Sequence, residues 1–389
     1  MWGVMGKEDM AQTMIDTALP EATAREQELI ARADDLGRTL LTPNAAAVDT
    51  GTLSVRENLQ ALAAAGLAGL RVPRQYGGDE VTRAVYLRVL EGLSYGDGTT
   101  PFIIAQHYGT SVMVARSPNE ALRARVLPAM ASGDTLCGFG VSHIRRQGRP
   151  ALTATPQDAG LLGDDYRLDG MIPWMTGEGL FSHVVIGATL PDGDTLLSWA
   201  PFASSDGLRL EPPMELVAMN GARTVAAACE GLRVRAEDVL AVEPAGRRTR
   251  ANTTTIPCLY GLARASVDDL EQLAARRAAP ASAAAAARLG ERLERERRAF
   301  YAALPTLEDG PSEVPLAAAR AAATQLAFDA IVALTVAVGG GANARTHPAQ
   351  RRLREASVFA TWGLSVEAVN AAVTSLSGDQ SPHPHAYGV

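Results

Sequence analysis

Apolar positions recur with helical spacing in the first and last thirds of the chain and alternate in its middle. From Glu21 to Asp34 the residues are helix formers, with no breaker until Gly37. Leu59, Leu62 and Ala63 form an i, i+3, i+4 stripe that Gly66 closes. The proline and glycines of Val72-Pro73-Arg74-Gln75-Tyr76-Gly77-Gly78 predict a loop, followed by helices over 81–93 and, as a buried one, 102–114. From 137 to 245 the period shortens to two. Residues 166–176 alternate, Asp169-Gly170 predicts a hairpin turn, and 184–188 and 196–201 read as strands around a turn at 191–194. Helical spacing returns after about 250. The alanine-rich stretch 275–287, with one proline, predicts a joint between helices, and 304–314 predicts a loop. Two long helices are expected over 317–338, with Ile331, Leu334 and Val338 at core spacing, and over 355–376.

This order predicts a mostly α chain with a central β-domain. An N-terminal helical domain covers 1–136, an antiparallel sandwich or barrel 137–245, a C-terminal helical bundle 246–380, and a disordered tail 381–389. With 389 residues the chain has material for two or three packed units. Its 47% hydrophobic and 20% charged residues are those of a folded globular protein. A net charge of -7, with arginines scattered among acids, gives no track for a nucleic-acid backbone, so no nucleic-acid partner is expected. Cys137, Cys229 and Cys258 have neither a pairing pattern nor metal-ligand spacing, so neither a disulfide framework nor a metal site is expected. We find no run of eighteen apolar residues for a membrane and no basic-then-apolar leader, so the expected setting is the cytoplasm.

Two segments carry chemistry: Gly138-Phe139-Gly140-Val141-Ser142 and, some thirty residues on, Trp174-Met175-Thr176-Gly177. A strand that offers a flat indole beside a hydroxyl suits a planar ring with polar edges. Their surroundings supply further matches in order: Leu70-Arg-Val-Pro-Arg-Gln-Tyr-Gly-Gly, Leu127-Pro-Ala-Met-Ala-Ser-Gly-Asp, Arg233-Val-Arg-Ala-Glu-Asp-Val-Leu, and Val338-Gly-Gly-Gly through His347-Pro348 to Arg354-Glu355-Ala356. Taken together, the chain resembles the acyl-CoA dehydrogenase superfamily over nearly its whole length. The resemblance implies FAD as cofactor, an N-terminal helical domain, a β-domain and a C-terminal four-helix bundle, assembled as a homodimer or homotetramer. It also implies roles. Trp174 packs beside the isoalloxazine, Thr176 bonds the flavin N5 edge, and Phe139, Val141 and Ser142 belong to the loop at the pyrimidine end. Arg277, sixteen residues after Gly261, reaches a neighbouring subunit's FAD diphosphate, which a guanidinium suits by paired bonds. Gly339 and Gly340 allow close backbone approach, and Ser365 stands where a threonine contacts FAD.

The pattern also breaks. The superfamily's usual glutamate, which takes the substrate α-proton, falls on Gly363, and the alternative position falls on or near Ala251 beside Asn252. None of these side chains accepts a proton at neutral pH. The expected function is a flavin-dependent oxidoreductase acting on an acyl thioester of CoA or an acyl carrier protein, with a relocated base. Glu178, two residues after Thr176, and His107 are the candidate catalytic residues. A flavin monooxygenase of the same fold, which needs no α-proton base, and a catalytically inactive scaffold are the alternatives.

Overall fold

The structure, a computed structural model, describes residues 22–145, 148–160, 163–245, 252–309, 314–364 and 366–377. The predicted tail and Ser365 lie outside them, as does Ala251. By contacts the chain divides into two units: Met1–Ala46, Thr82–Gly98 and Arg250–Val389 in one, Ala47–Val81 and Thr99–Thr249 in the other.

The first unit is helical. Helix α1 (Ala24–Leu36) opens on a capping box in which Thr23 Oγ1 accepts the Glu26 N–H at 3.3 Å and the Glu26 carboxylate accepts the Thr23 N–H at 2.9 Å. Gly37 does not end the helix as expected. The chain runs on through a π-helical turn, Gly37–Leu41, into α2 (Thr42–Thr50). A Cβ at Gly37 would stand 2.2 Å from the Gly92 carbonyl oxygen, in the helix Arg83–Gly96, so glycine serves helix contact here rather than termination. Asp34 lies between Arg88 and Arg264, at 2.9 and 3.1 Å, while Glu91 takes Arg297 at 2.7 Å and the Tyr301 hydroxyl at 2.9 Å. Burial alone would raise the Asp34 carboxyl, but the two guanidinia outweigh it and hold it at about 2.

In the second unit α3 (Arg56–Ala64) precedes the loop expected from Val72 to Gly78, which contains a 3₁₀ turn and Gly77 at φ 88°. The helix Arg83–Gly96 of the first unit is α4; α5 (Thr99–Ala115) and α6 (Glu120–Ser132) follow in the second. Eight strands come next: β1 (Cys137–Gly140), β2 (Leu152–Gly160), β3 (Gly163–Met175), β4 (His183–Thr189), β5 (Thr195–Pro201), β6 (Leu208–Leu210), β7 (Val225–Val234) and β8 (Val239–Glu243). Their order is β6-β7-β3-β2-β4-β5-β8, with β1 parallel to β4 and the remaining long pairings antiparallel. Asp169-Gly170 is not a turn. It lies inside β3, where Gly170 has φ 132° and a Cβ would meet the Ala151 carbonyl oxygen at 2.3 Å. Glycine is needed there for strand approach, a demand that the dipeptide does not reveal.

After the sheet the chain returns to the first unit with α7 (Thr255–Arg277), α8 (Pro280–Asp309), α9 (Val314–Val338), α10 (Pro348–Thr361) and α11 (Val366–Leu376). The expected joint is present: Ala278 takes φ 49° between α7 and α8. Of the loop expected at 304–314, residues 304–309 are helical instead, since α8 continues through Pro305 to Asp309; residues 310–313 lie outside the described ones. Leu304 and Leu307, 4% and 7% exposed, keep that turn packed, and their burial offsets the proline. The long helix expected over 355–376 is two, divided at Trp362–Leu364, where Gly363 has φ 68°. Helix α9 packs along α7, α8, α10 and α11. Although no uninterrupted apolar run was expected, Pro315–Val338 is long and apolar enough to cross a membrane by length and composition. Here it is a bundle helix, packed against its neighbours.

Candidate functional site

Strand β1 passes against β3 because its glycines allow it. A Cβ at Gly140 would lie 2.9 Å from Ile172 Cγ2 and Met175 Cγ, and one at Gly138 would lie 2.7 Å from the Phe181 ring and 3.3 Å from the Thr176 carbonyl oxygen. The two segments singled out in the sequence are therefore neighbours. At the end of β1, Val141 is half-buried and Ser142 exposed, opening a 3₁₀ turn. Phe139 alternates away from the two glycines. It packs with the core around Val72, Leu127 and Trp199 and lies against Gly109 of α5, where a Cβ would approach its ring to 3.0 Å.

The aim of Trp174 comes from a bulge. Ile172 pairs with Ala227 and Met175 with Val225, so Pro173 and Trp174 together oppose Ala226 alone. Strict alternation from buried Ile172 would put Trp174 inside and Met175 outside. The extra residue reverses that phase: Trp174 is 42% exposed and Met175 only 1%. The Met171 N–H bonds the Ala151 carbonyl at 2.8 Å, just before β2 begins; two residues on, Pro173 has no N–H to lose at this strand edge. Thr176 is buried and its Oγ1 lies 3.1 Å from Thr224 Oγ1. The exposed Trp174 indole and the Thr176 hydroxyl thus stand at the end of β3, while Ser142 follows the β1 strand that packs against it.

The candidate catalytic groups are otherwise engaged. Glu178 pairs with Arg223, whose Nε donates to its carboxylate at 2.8 Å and to its carbonyl at 3.0 Å. Arg223 itself sits at φ 49°, and the Glu178 N–H donates to the Arg223 carbonyl at 3.1 Å. His107 is fully buried in α5. The Cys137 N–H donates to its Nδ1 at 3.3 Å, so the proton is on Nε2, which donates to the Met130 carbonyl at 3.2 Å. Burial drives its imidazolium down to about 4, against the pull of the Met130 and Ala68 carbonyls.

In the helical unit, Arg277 Nη1 donates to the Ala337 carbonyl at 2.7 Å, two residues before Gly339. The sequence thus marks two places sixty residues apart that the fold joins. Gly339 takes φ 82°, and a Cβ at Gly339 or Gly340 would meet nothing within 4 Å, so their backbone faces open space. At the position of the missing glutamate, a Cβ on Gly363 would stand 2.7 Å from Asn252 Nδ2. The two sequence regions where a base was sought therefore meet, and they meet as a glycine and a carboxamide. Nothing in the one-dimensional pattern pointed to that contact, to the Glu178–Arg223 pair or to the bulge at Pro173.

Residues 23–134 match the family described as acyl-CoA dehydrogenase, N-terminal domain. The fold is that of the acyl-CoA dehydrogenases. A relative named "Probable acyl-CoA dehydrogenase fadE25" from Mycobacterium leprae is 24% identical over 87% of this chain and 91% of its own length. Among solved structures, a glutaryl-CoA dehydrogenase from Mycobacterium smegmatis in complex with FADH2 superposes with a TM-score of 0.75 at 17% identity, covering 92% of this chain and 95% of its own. A nitrososynthase from Micromonospora carbonacea var. africana gives 0.75 at 21% identity, over 93% and 98%. The acyl-CoA dehydrogenase resemblance read from the motifs therefore holds, and the curated relative extends it along the chain. Those homologues are oxidoreductases.

Proposed function

We propose that this protein is an FAD-dependent oxidoreductase of the acyl-CoA dehydrogenase type that works without a carboxylate base at the Trp362–Leu364 turn. The carrying observation is the contact of Gly363 with Asn252: the acid is absent, and the space a side chain would enter is taken. A flavin fits the chemistry of the donor set. Trp174 offers an apolar platform that its own strand does not bury, and Ser142 and Thr176 offer hydroxyls to a polar ring edge. Bound FAD would supply the two-electron redox step. Arg277, beside the open Gly339-Gly340 backbone, would serve the cofactor's diphosphate.

By likeness to its relatives, the substrate is an acyl thioester of CoA; an acyl carrier protein is the alternative carrier in this reading. With Glu178 held by Arg223 and His107 sealed in the core, that chemistry requires a proton acceptor other than either. A second reading, flavin-dependent monooxygenation, is favoured by the same absence and by the likeness to a nitrososynthase. Self-association into a homodimer or homotetramer goes with either reading. Its support is an apolar stripe of Val332 and Val336 on α9 with Val369 and Val373 on the adjacent α11, all more than 40% exposed. The three cysteines are free and buried, which suits a cytoplasmic location.

The test is an absorbance scan of freshly purified protein, then FAD titration. Protein that is colourless and indifferent to FAD would overturn the proposal in favour of an inactive scaffold. Anaerobic bleaching of the bound flavin by acyl-CoA supports the thioester reading; oxygen uptake with a flavin reductase, without such bleaching, supports the second.

A further inference from the structure

The break between α10 and α11 is held by a group that neither reading uses. Arg320, on α9, is 4% exposed, and its Nη2 donates to the Phe359 carbonyl at 2.8 Å and to the Trp362 carbonyl at 2.5 Å. These are carbonyls of the last turn of α10 and its cap, which have no partner within the helix. A cation there also suits the negative end of the helix. Among the described residues no carboxylate pairs with this guanidinium, and its buried Nε has no hydrogen-bond partner. An uncompensated buried charge is costly, and burial lowers this guanidinium to about 10. The fold bears that cost at one turn.

A second side chain reaches the same carbonyl from the segment just before α7. Asn252 Oδ1 accepts the Thr254 N–H at 3.0 Å, which fixes the amide so that Nδ2 faces the Trp362 carbonyl at 3.5 Å and Gly363 beside it. One acceptor, the Trp362 carbonyl oxygen, thus ties α9 and the segment preceding α7 to the exit of α10. The residue after it is a glycine at φ 68°, exposed to solvent.

We propose that Arg320 and Asn252 are positioning residues that hold the Trp362–Leu364 turn in its left-handed form, so that peptide groups rather than a carboxylate meet the ligand there. This rests on the reading of that turn as part of a flavin-dependent site, and it deepens that reading. A ligand meeting this turn is offered N–H and C=O groups, which bind and orient but take no proton. The arrangement also explains why a helix expected to run unbroken divides at this point. Arg320 acts through the Phe359 and Trp362 carbonyls.

The experiment uses full-length protein labelled with 5-fluorotryptophan, with the Trp362 resonance assigned by Trp362→Phe. Arg320→Met and Asn252→Ala are expected to shift or broaden the Trp362 fluorine signal and leave those of Trp174 and Trp199 in place. Arg320→Lys, which keeps a cation of similar reach, is expected to restore part of the shift. In FAD titrations the two disruptive variants should bind at least about tenfold more weakly than wild type, a loss of about 1.4 kcal/mol. A Trp362 signal unmoved by Arg320→Met overturns the clamp. A moved signal with unchanged FAD affinity shows a merely structural cap and overturns the proposal as well. Wild-type protein that ignores FAD overturns the flavin reading and the affinity half of this proposal, while the clamp is still judged on the Trp362 signal.

Discussion

Gly140 and Met175 approach so closely that a Cβ on residue 140 would lie 2.9 Å from both Cγ and Sδ of the methionine. This contact seats β1 against β3. Gly140→Val should therefore overpack the interface, costing about 1–3 kcal/mol. A lowered Tm together with weaker FAD binding is the expected result, while an unchanged Tm would show that the strands are not so tightly seated.

The bulge at Pro173-Trp174 sets two neighbouring side chains in opposite environments. Met175→Ala should cost about 2–5 kcal/mol because it opens a cavity in a packed core. Trp174→Ala should cost under about 1 kcal/mol, since nearly half of its surface is already in water. The two should rank oppositely in FAD affinity, with Trp174→Ala the weaker binder. Urea denaturation and FAD titration of both variants give the ranking, and the reverse stability order would rule out the bulged register.

His107 makes stability depend on pH in a direction that follows from its burial. Its folded value of about 4 lies below the ordinary 6.5, so between these values the unfolded chain takes up a proton that the folded chain refuses. The stabilisation is fully present above pH 6.5 and falls away as pH drops toward 4. Its size is about 3 kcal/mol. Urea unfolding of wild type should show this slope, and His107→Gln should flatten it. Should His107→Gln instead abolish turnover while leaving that slope intact, the imidazole would be a catalytic group.

Restoring the missing acid should not restore α-proton abstraction. Gly363→Glu forces a side chain into a left-handed backbone against Asn252 Nδ2. It should cost about 1–2 kcal/mol and give no rise in flavin bleaching by acyl-CoA. Efficient anaerobic bleaching by this variant would show that only the glutamate had been lacking.

Val336 and Val373 stand 75% and 61% exposed. If the α9–α11 face joins copies of the chain, Val336→Asp with Val373→Asp should reduce the mass measured by light scattering by at least half, with the far-UV spectrum preserved. Unchanged mass would assign assembly to another surface.

Helical and strand periods were legible because they record one-dimensional burial: the stripe at Leu59 and Leu62, the strands at 184–188 and 196–201, and the joint after Arg277 all appear in the structure. The misses share a cause. Gly37, Asp169-Gly170 and Pro305 carry local signals for breaks, but a carbonyl of another segment or a buried leucine decided otherwise. The pairing of Glu178 with Arg223 was invisible for the same reason, since a separation of forty-five positions leaves no periodic trace.

Residue type and order alone determined the alternation of helical and β segments, the likeness to acyl-CoA dehydrogenases, and the want of an acid at Gly363, because each is a property of local composition and spacing. Tertiary structure decided where Trp174 points, which neighbours hold Glu178 and His107, and that Gly363 lies against Asn252. Each of those depends on distances between segments remote in the chain, and only packing sets such distances.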